Sequence, residues 1–121
     1  KKKKKYNKVM GKNESLIQYG TSFQSKIITS LLVNNKFMKT VYDILEVSYF
    51  DSDANKFLIT ETRKYFDKYK TPPTMEALKV VIDDLENDVM KTAVVDSLRN
   101  AWQHRESPDL EFVQEKNIRI L

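Results

Sequence analysis

A chain of 121 residues, 40% apolar and 11% aromatic, has room for one folded domain with a real core and no room for a second. With no cysteine and one histidine, His104, it excludes a disulfide framework, a thiol nucleophile and a Cys-rich zinc centre. The formal charge of +4 is unevenly placed. Seven of the 21 basic side chains are lysines within the first twelve residues, which hold no acid, so from residue 13 onward 14 basic side chains face 17 acidic ones and the balance is negative.

Glycine is as informative as charge. Both glycines, Gly11 and Gly20, fall in the first twenty residues. A loop that cradles phosphate needs glycine for close backbone approach, so neither a P-loop nor a dinucleotide-binding turn is available from Thr21 onward. Asn-Gly and Asp-Gly hairpin turns are missing too, which favours helices over strands. The longest dense apolar stretch, residues 27–33, is far below the ~20 residues that span a bilayer.

In chain order, residues 1–20 read as a lysine-rich leader that buries little, because like charges repel. Thr21 or Ser22 is expected to cap a first helix carrying Phe23, Ile27, Ile28, Leu31 and Leu32 on one stripe. Asn34 and Asn35 end it and cap a shorter second helix with Phe37, Met38, Val41, Tyr42, Ile44 and Leu45, giving a helical hairpin. Asp51 and Asp53 are candidate caps for a long third helix with Ala54, Phe57, Leu58, Thr62, Tyr65, Phe66 and Tyr69 facing inward.

Pro72 and Pro73 break that helix, since proline cannot donate the backbone bond a helix interior needs, and Thr74 caps a fourth carrying Met75, Leu78, Val81, Ile82 and Leu85. A fifth starts near Asp88 with Met90, Ala93, Val94, Leu98, Ala101 and Trp102 inside, and ends near His104 and Arg105, whose cationic character suits a helix C-terminus. Ser107-Pro108 starts a sixth along Leu110, Val113, Asn117 and Ile120 or Leu121. The expectation is therefore an all-α fold, a compact bundle of about six helices over residues 21–121. The last helix reads as truncated, since Asn117 to Leu121 contain no stop signal.

Few residues offer chemistry. Asp51, Asp53 and Asn55 imitate the opening of a calcium loop, but Lys56 stands where its glycine belongs and Thr62 where its bidentate glutamate belongs, so helix capping explains them better. The acids from Asp83 to Asp88 read as a solvated helix end, and His104 has no partner that would make it a general base. Tyr42, Tyr49, Phe50, Tyr65, Phe66, Tyr69 and Trp102 could stack on bases, yet their helical spacing favours packing, with Trp102 the expected anchor. Asn13-Glu14-Ser15 matches a glycosylation acceptor but follows no secretory signal in these residues.

The order of these motifs carries a resemblance. Residues 22–32, then Phe37 to Leu45, then Tyr49-Phe50 before a long helix, then Tyr69-Lys70-Thr71-Pro72-Pro73-Thr74-Met75-Glu76-Ala77-Leu78 make up a series similar to the N-terminal domain of DnaB-type replicative DNA helicases, the phage T4-like branch above all. The similarity covers about residues 21–121. It departs at Asn55, where the family often has histidine.

The resemblance implies a non-catalytic, helical collar domain of a ring-shaped hexamer. Such a domain pairs with copies of itself, contacts primase or a helicase loader, and meets DNA only indirectly. It implies no cofactor in this chain, with ATP and magnesium confined to a motor domain outside these residues. The absence of cysteine agrees with a reducing interior, so a cytoplasmic setting is expected, that of the bacterial host if phage-encoded. Phe112, Val113, Ile118, Ile120 and Leu121, apolar on more than one side of the last helix, are the interface candidates. Two alternatives stay open: a small nucleic-acid-binding protein using phosphate contacts from Lys1, Lys2, Lys3, Lys4 and Lys5, and a free-standing regulatory adaptor bundle.

Overall fold

Apolar side chains recurring every three or four residues make helices that can be stable only by burying those stripes against one another. A computed structural model describes Leu16 and residues 19–121; the lysine run Lys1 to Lys5 and Asn13 lie outside the described residues. Six α-helices follow in order: α1 (Gly20–Val33), α2 (Asn35–Val41), α3 (Asp53–Tyr69), α4 (Met75–Asp83), α5 (Asp88–Trp102) and α6 (Leu110–Ile120). A single 3-10 turn, Val47–Tyr49, lies between α2 and α3, and no strand occurs among the described residues. The fold is an all-α bundle.

Helix α1 is the hub, in contact with α2, α3, α5 and α6. Its Ile27, Ile28 and Leu31 join Phe37, Met38 and Val41 of α2, Phe50, Ile59 and Phe66 around α3, Ala101 of α5 and Val113 of α6 in the larger core cluster. A smaller cluster lies between α3, α4 and α5, built on Ala54, Leu58, Leu78, Ile82, Val94 and Leu98. Leu32 packs against both clusters and joins them.

Burial around most of α1 forces its polar side chains to find partners inside. Gln24 is fully buried: its amide donates to the Leu16 carbonyl at 3.3 Å, and its oxygen accepts the Asp51 N–H at 3.3 Å and the Asn55 amide at 3.5 Å. Ser30 accepts from Gln114 of α6 at 2.9 Å, and Gln114 accepts from Asn34 at 3.2 Å. Thr29 and Asn117 are buried with side-chain atoms that have no partner among the described residues. Leu16 is fully buried in the larger cluster, so the packed unit reaches into the stretch expected to be a loosely packed leader.

The helix ends follow local chemistry, with three departures from expectation. Asn34 accepts the Phe37 N–H at 2.9 Å and Thr74 the Ala77 N–H at 3.1 Å, as the cap residues predict. Helix α1 instead starts at Gly20, whose φ of +88° turns the chain in from the preceding residues, and it has no side-chain cap; Thr21 and Ser22 sit exposed in its first turn. Ser52, between the two expected aspartates, caps α3 by accepting the Asn55 N–H at 3.0 Å, while the Asp51 backbone is tied to Gln24. Helix α6 starts at Leu110 and not at Pro108. The Ser107 hydroxyl donates to Asp109 at 2.6 Å instead of capping, and the Asp109 carboxylate takes the Lys26 ammonium of α1 at 2.7 Å.

Two predictions follow from this internal pairing. Replacing Gln24 with Leu leaves the Leu16 carbonyl and the Asn55 amide buried without that partner and should cost about 2–4 kcal/mol in urea unfolding, whereas Thr29→Val removes a buried hydroxyl with no partner among the described residues and should gain about 1 kcal/mol. The Lys26 ammonium, then the Ser107 hydroxyl, hold the Asp109 carboxyl below the usual carboxylate range. A lowered folded value means that this stabilisation is present above the ordinary aspartate value of about 3.9 and is lost as the pH falls through the lowered one. Thermal melts across that acid range should therefore show a shallower pH dependence for Asp109→Asn; an unchanged slope would remove Asp109 from the acid response.

Candidate docking site

A recess that combines apolar walls with charge lies between α4 and α5. Met75, Lys79, Ile82 and Asp83 come from α4, and Val95, Leu98, Arg99 and Trp102 from α5; Gln103 and Arg105 close one end of a cavity of about 430 Å³. The local sequence explains its shape. Thr74 sets the start of α4 immediately after Pro72 and Pro73, and α4 is short, so Leu78 and Ile82 reach the second core cluster while Met75 stays only half-buried. A second recess of about 430 Å³ adjoins it, lined by Val33, Asn35 and the 71–74 turn, and shares Met75 and Trp102 with the first. The indole is the partition between the two.

The electrostatics of the groove are cationic on balance. Lys79, Arg99 and Arg105 line it against one lining acid, Asp83. The Arg105 guanidinium lies 5.2 Å from the centre of the Trp102 ring and donates to the Trp102 carbonyl at 2.9 Å, which fixes a positive group beside an aromatic face. Arg99 meets Asp96 at 3.5 Å, both side chains being exposed. Trp102 is therefore half-buried at a groove wall and not the core anchor that its spacing suggests; Phe50, almost fully buried, fills that role.

The expected interface residues are divided by α6. Phe112 is 65% exposed and Ile118 40%, the latter lining a recess shared with Lys36, Phe37 and Thr40 of α2. Val113, at 4%, is a core residue facing α1 and is withdrawn from the interface set, and Ile120 and Leu121 pack against the larger cluster. Groove residues such as Lys79 and Arg99 were not foreseen as site residues; the signal was the pair of cationic side chains on the flanks of two apolar stripes that meet.

Elsewhere the chemistry is quiet. Tyr42 donates to Asp67 at 2.7 Å, and this hydrogen bond is the first cause of its phenol being raised above the usual range. His104 closes the C-terminal turn of α5 through its backbone N–H to Ala101 at 3.0 Å. Among the described residues no group of three or more His, Asp or Glu side chains is placed to hold a metal, and no helix is long and apolar enough to cross a membrane. The sequence matches no protein-family model, no curated protein and no solved structure.

A half-buried wall residue and a core residue differ in what their removal leaves behind. Trp102→Ala should cost about 1–2 kcal/mol, against about 3–5 for Phe50→Ala, when unfolding is followed by helical circular dichroism in urea. Equal losses would place Trp102 in the core after all.

Proposed function

We propose that this chain is a non-catalytic assembly and protein-interaction domain of a hexameric replicative DNA helicase, with the α4/α5 groove as its docking surface. The observation that carries the reading is that groove: an open apolar cleft of about 430 Å³ bordered by Lys79, Arg99 and Arg105. Such a surface recognises another protein through an apolar anchor and flanking charge, and performs no reaction. The order of helix and cap motifs that resembles the DnaB-type N-terminal domain gives the docking its context: ring partners, primase or a loader.

The test has two arms. Sequencing the gene past codon 121 should reveal, in frame, a P-loop of the form G-x-x-x-x-G-K-S/T and its motor domain. A stop codon directly after Leu121 would overturn the helicase reading in favour of a free-standing adaptor. The purified 121-residue protein should release no phosphate from ATP above a blank; turnover by this chain unaided would overturn the non-catalytic assignment.

A further inference from the structure

We infer that the α4/α5 groove binds an acidic amphipathic segment of a partner protein, whose apolar side chains enter the cleft while its carboxylates meet the cationic border. The inference rests on the docking reading above and names the chemistry of what docks. Floor and border call for different groups. Ile82 and Leu98 are buried, and Met75, Val95 and Trp102 are half-buried around them, leaving apolar surface that a partner's apolar side chains would cover. Lys79, Arg99 and Arg105 stand exposed beside that surface. A cavity of about 430 Å³ falls in the range that encloses a drug-sized group, which gives room for an anchor side chain and its neighbours.

The cations are available and unevenly placed. Lys79 and Arg105 take part in none of the ion pairs among the described residues, and the Arg99 contact to Asp96 at 3.5 Å joins two exposed side chains and is weak. Met75, at the start of α4, and Trp102, at the end of α5, share the second recess, which makes this the open end of the helix pair. Arg99 and Arg105 lie within a turn of that end, whereas Asp83 lies at the other, next to the 84–87 turn with its acids Asp84 and Glu86. The field therefore runs from positive at the indole to negative at the turn, and a docked segment places its carboxylates toward Trp102. Single-stranded nucleic acid, which also meets indoles and cations, fits less well. Trp102 is the one aromatic side chain lining the groove, so successive bases find no second ring to stack on, and residues 13–121 carry 14 basic against 17 acidic side chains, an unfavourable balance for a polyanion.

Trp102 is the sole tryptophan of the chain, so its emission reports on the groove without a label. The probes are synthetic, tryptophan-free peptides of about 14 residues, roughly four helical turns. One carries leucines and a phenylalanine along one face with glutamates flanking them, the second has lysine for every glutamate, and the third has alanine for every apolar anchor. A single-stranded oligothymidine is the fourth probe. Lys79→Glu with Arg99→Glu reverses the border, and Lys79→Gln with Arg99→Gln neutralises it; both positions are exposed, and circular dichroism checks that each variant folds. Lys64→Glu, in a different recess, is the control for a general change in charge.

Titrated at physiological salt, the acidic peptide should shift the Trp102 emission to the blue and saturate, with the lysine peptide at least about tenfold weaker. The alanine peptide and the oligothymidine should not saturate. The Gln variant should weaken the acidic peptide about fivefold or more, the Glu variant should prefer the lysine peptide, and Lys64→Glu should change neither. The inference is overturned if no peptide saturates, if the two charged peptides bind alike, if the groove variants leave their order unchanged, or if the oligothymidine outcompetes the acidic peptide. Such a result in a gene that continues into a motor domain removes this occupant and leaves the helicase reading standing. Charge-selective binding in a gene that stops after Leu121 does the reverse.

Discussion

Helix α1 sets the terms for the rest of the molecule because it is enclosed by four other helices and yet carries polar side chains. Water cannot reach Gln24 or Ser30, so their hydrogen bonds must be supplied from distant parts of the chain, and each partner is thereby fixed in place. Gln24 draws together the Leu16 carbonyl, the loop at Asp51 and the start of α3, while Ser30 holds α6 through Gln114. Apolar contact alone would permit these helices to slide. The polar nodes select one register, and the ion pair between Lys26 and Asp109 adds a third tie from the same helix to the turn before α6.

Much of this architecture is legible from periodicity, because a stripe at helical spacing has one way to be buried. Leu58, Leu78, Ile82, Val94 and Leu98 lie where their spacing puts them. What escapes a local reading is the choice between adjacent polar residues. Asp51, Ser52 and Asp53 are all competent caps, and Ser52 is selected because the Asp51 backbone is already engaged by Gln24, a residue far away in sequence. The delayed start of α6 has the same origin: Asp109 answers to Lys26, eighty-three positions earlier, and draws the Ser107 hydroxyl with it.

The candidate site was less legible than the fold, and for a physical reason. A groove exists only where two stripes meet incompletely, and neither stripe alone reveals the gap. Met75 and Trp102 look like core residues on their own helices, but α4 and α5 converge on Leu78, Ile82, Val94 and Leu98 and leave those two side chains at the border. The exposed Phe112 shows the opposite case: its neighbour Val113 carries the helix's attachment to α1, and the single step of about 100° between them separates core from surface.

The wall formed by α4 differs in mechanical character from the rest. It spans nine residues and leans chiefly on α5, whereas α1 is braced by four neighbours. A short element with one main support is the compliant jaw of the bundle, and compliance on that side sets the aperture of the cleft. Whatever fills the cleft also clamps the jaw, so occupancy and local rigidity rise together. Warming the molecule accordingly loosens this wall before it loosens the scaffold braced by α1.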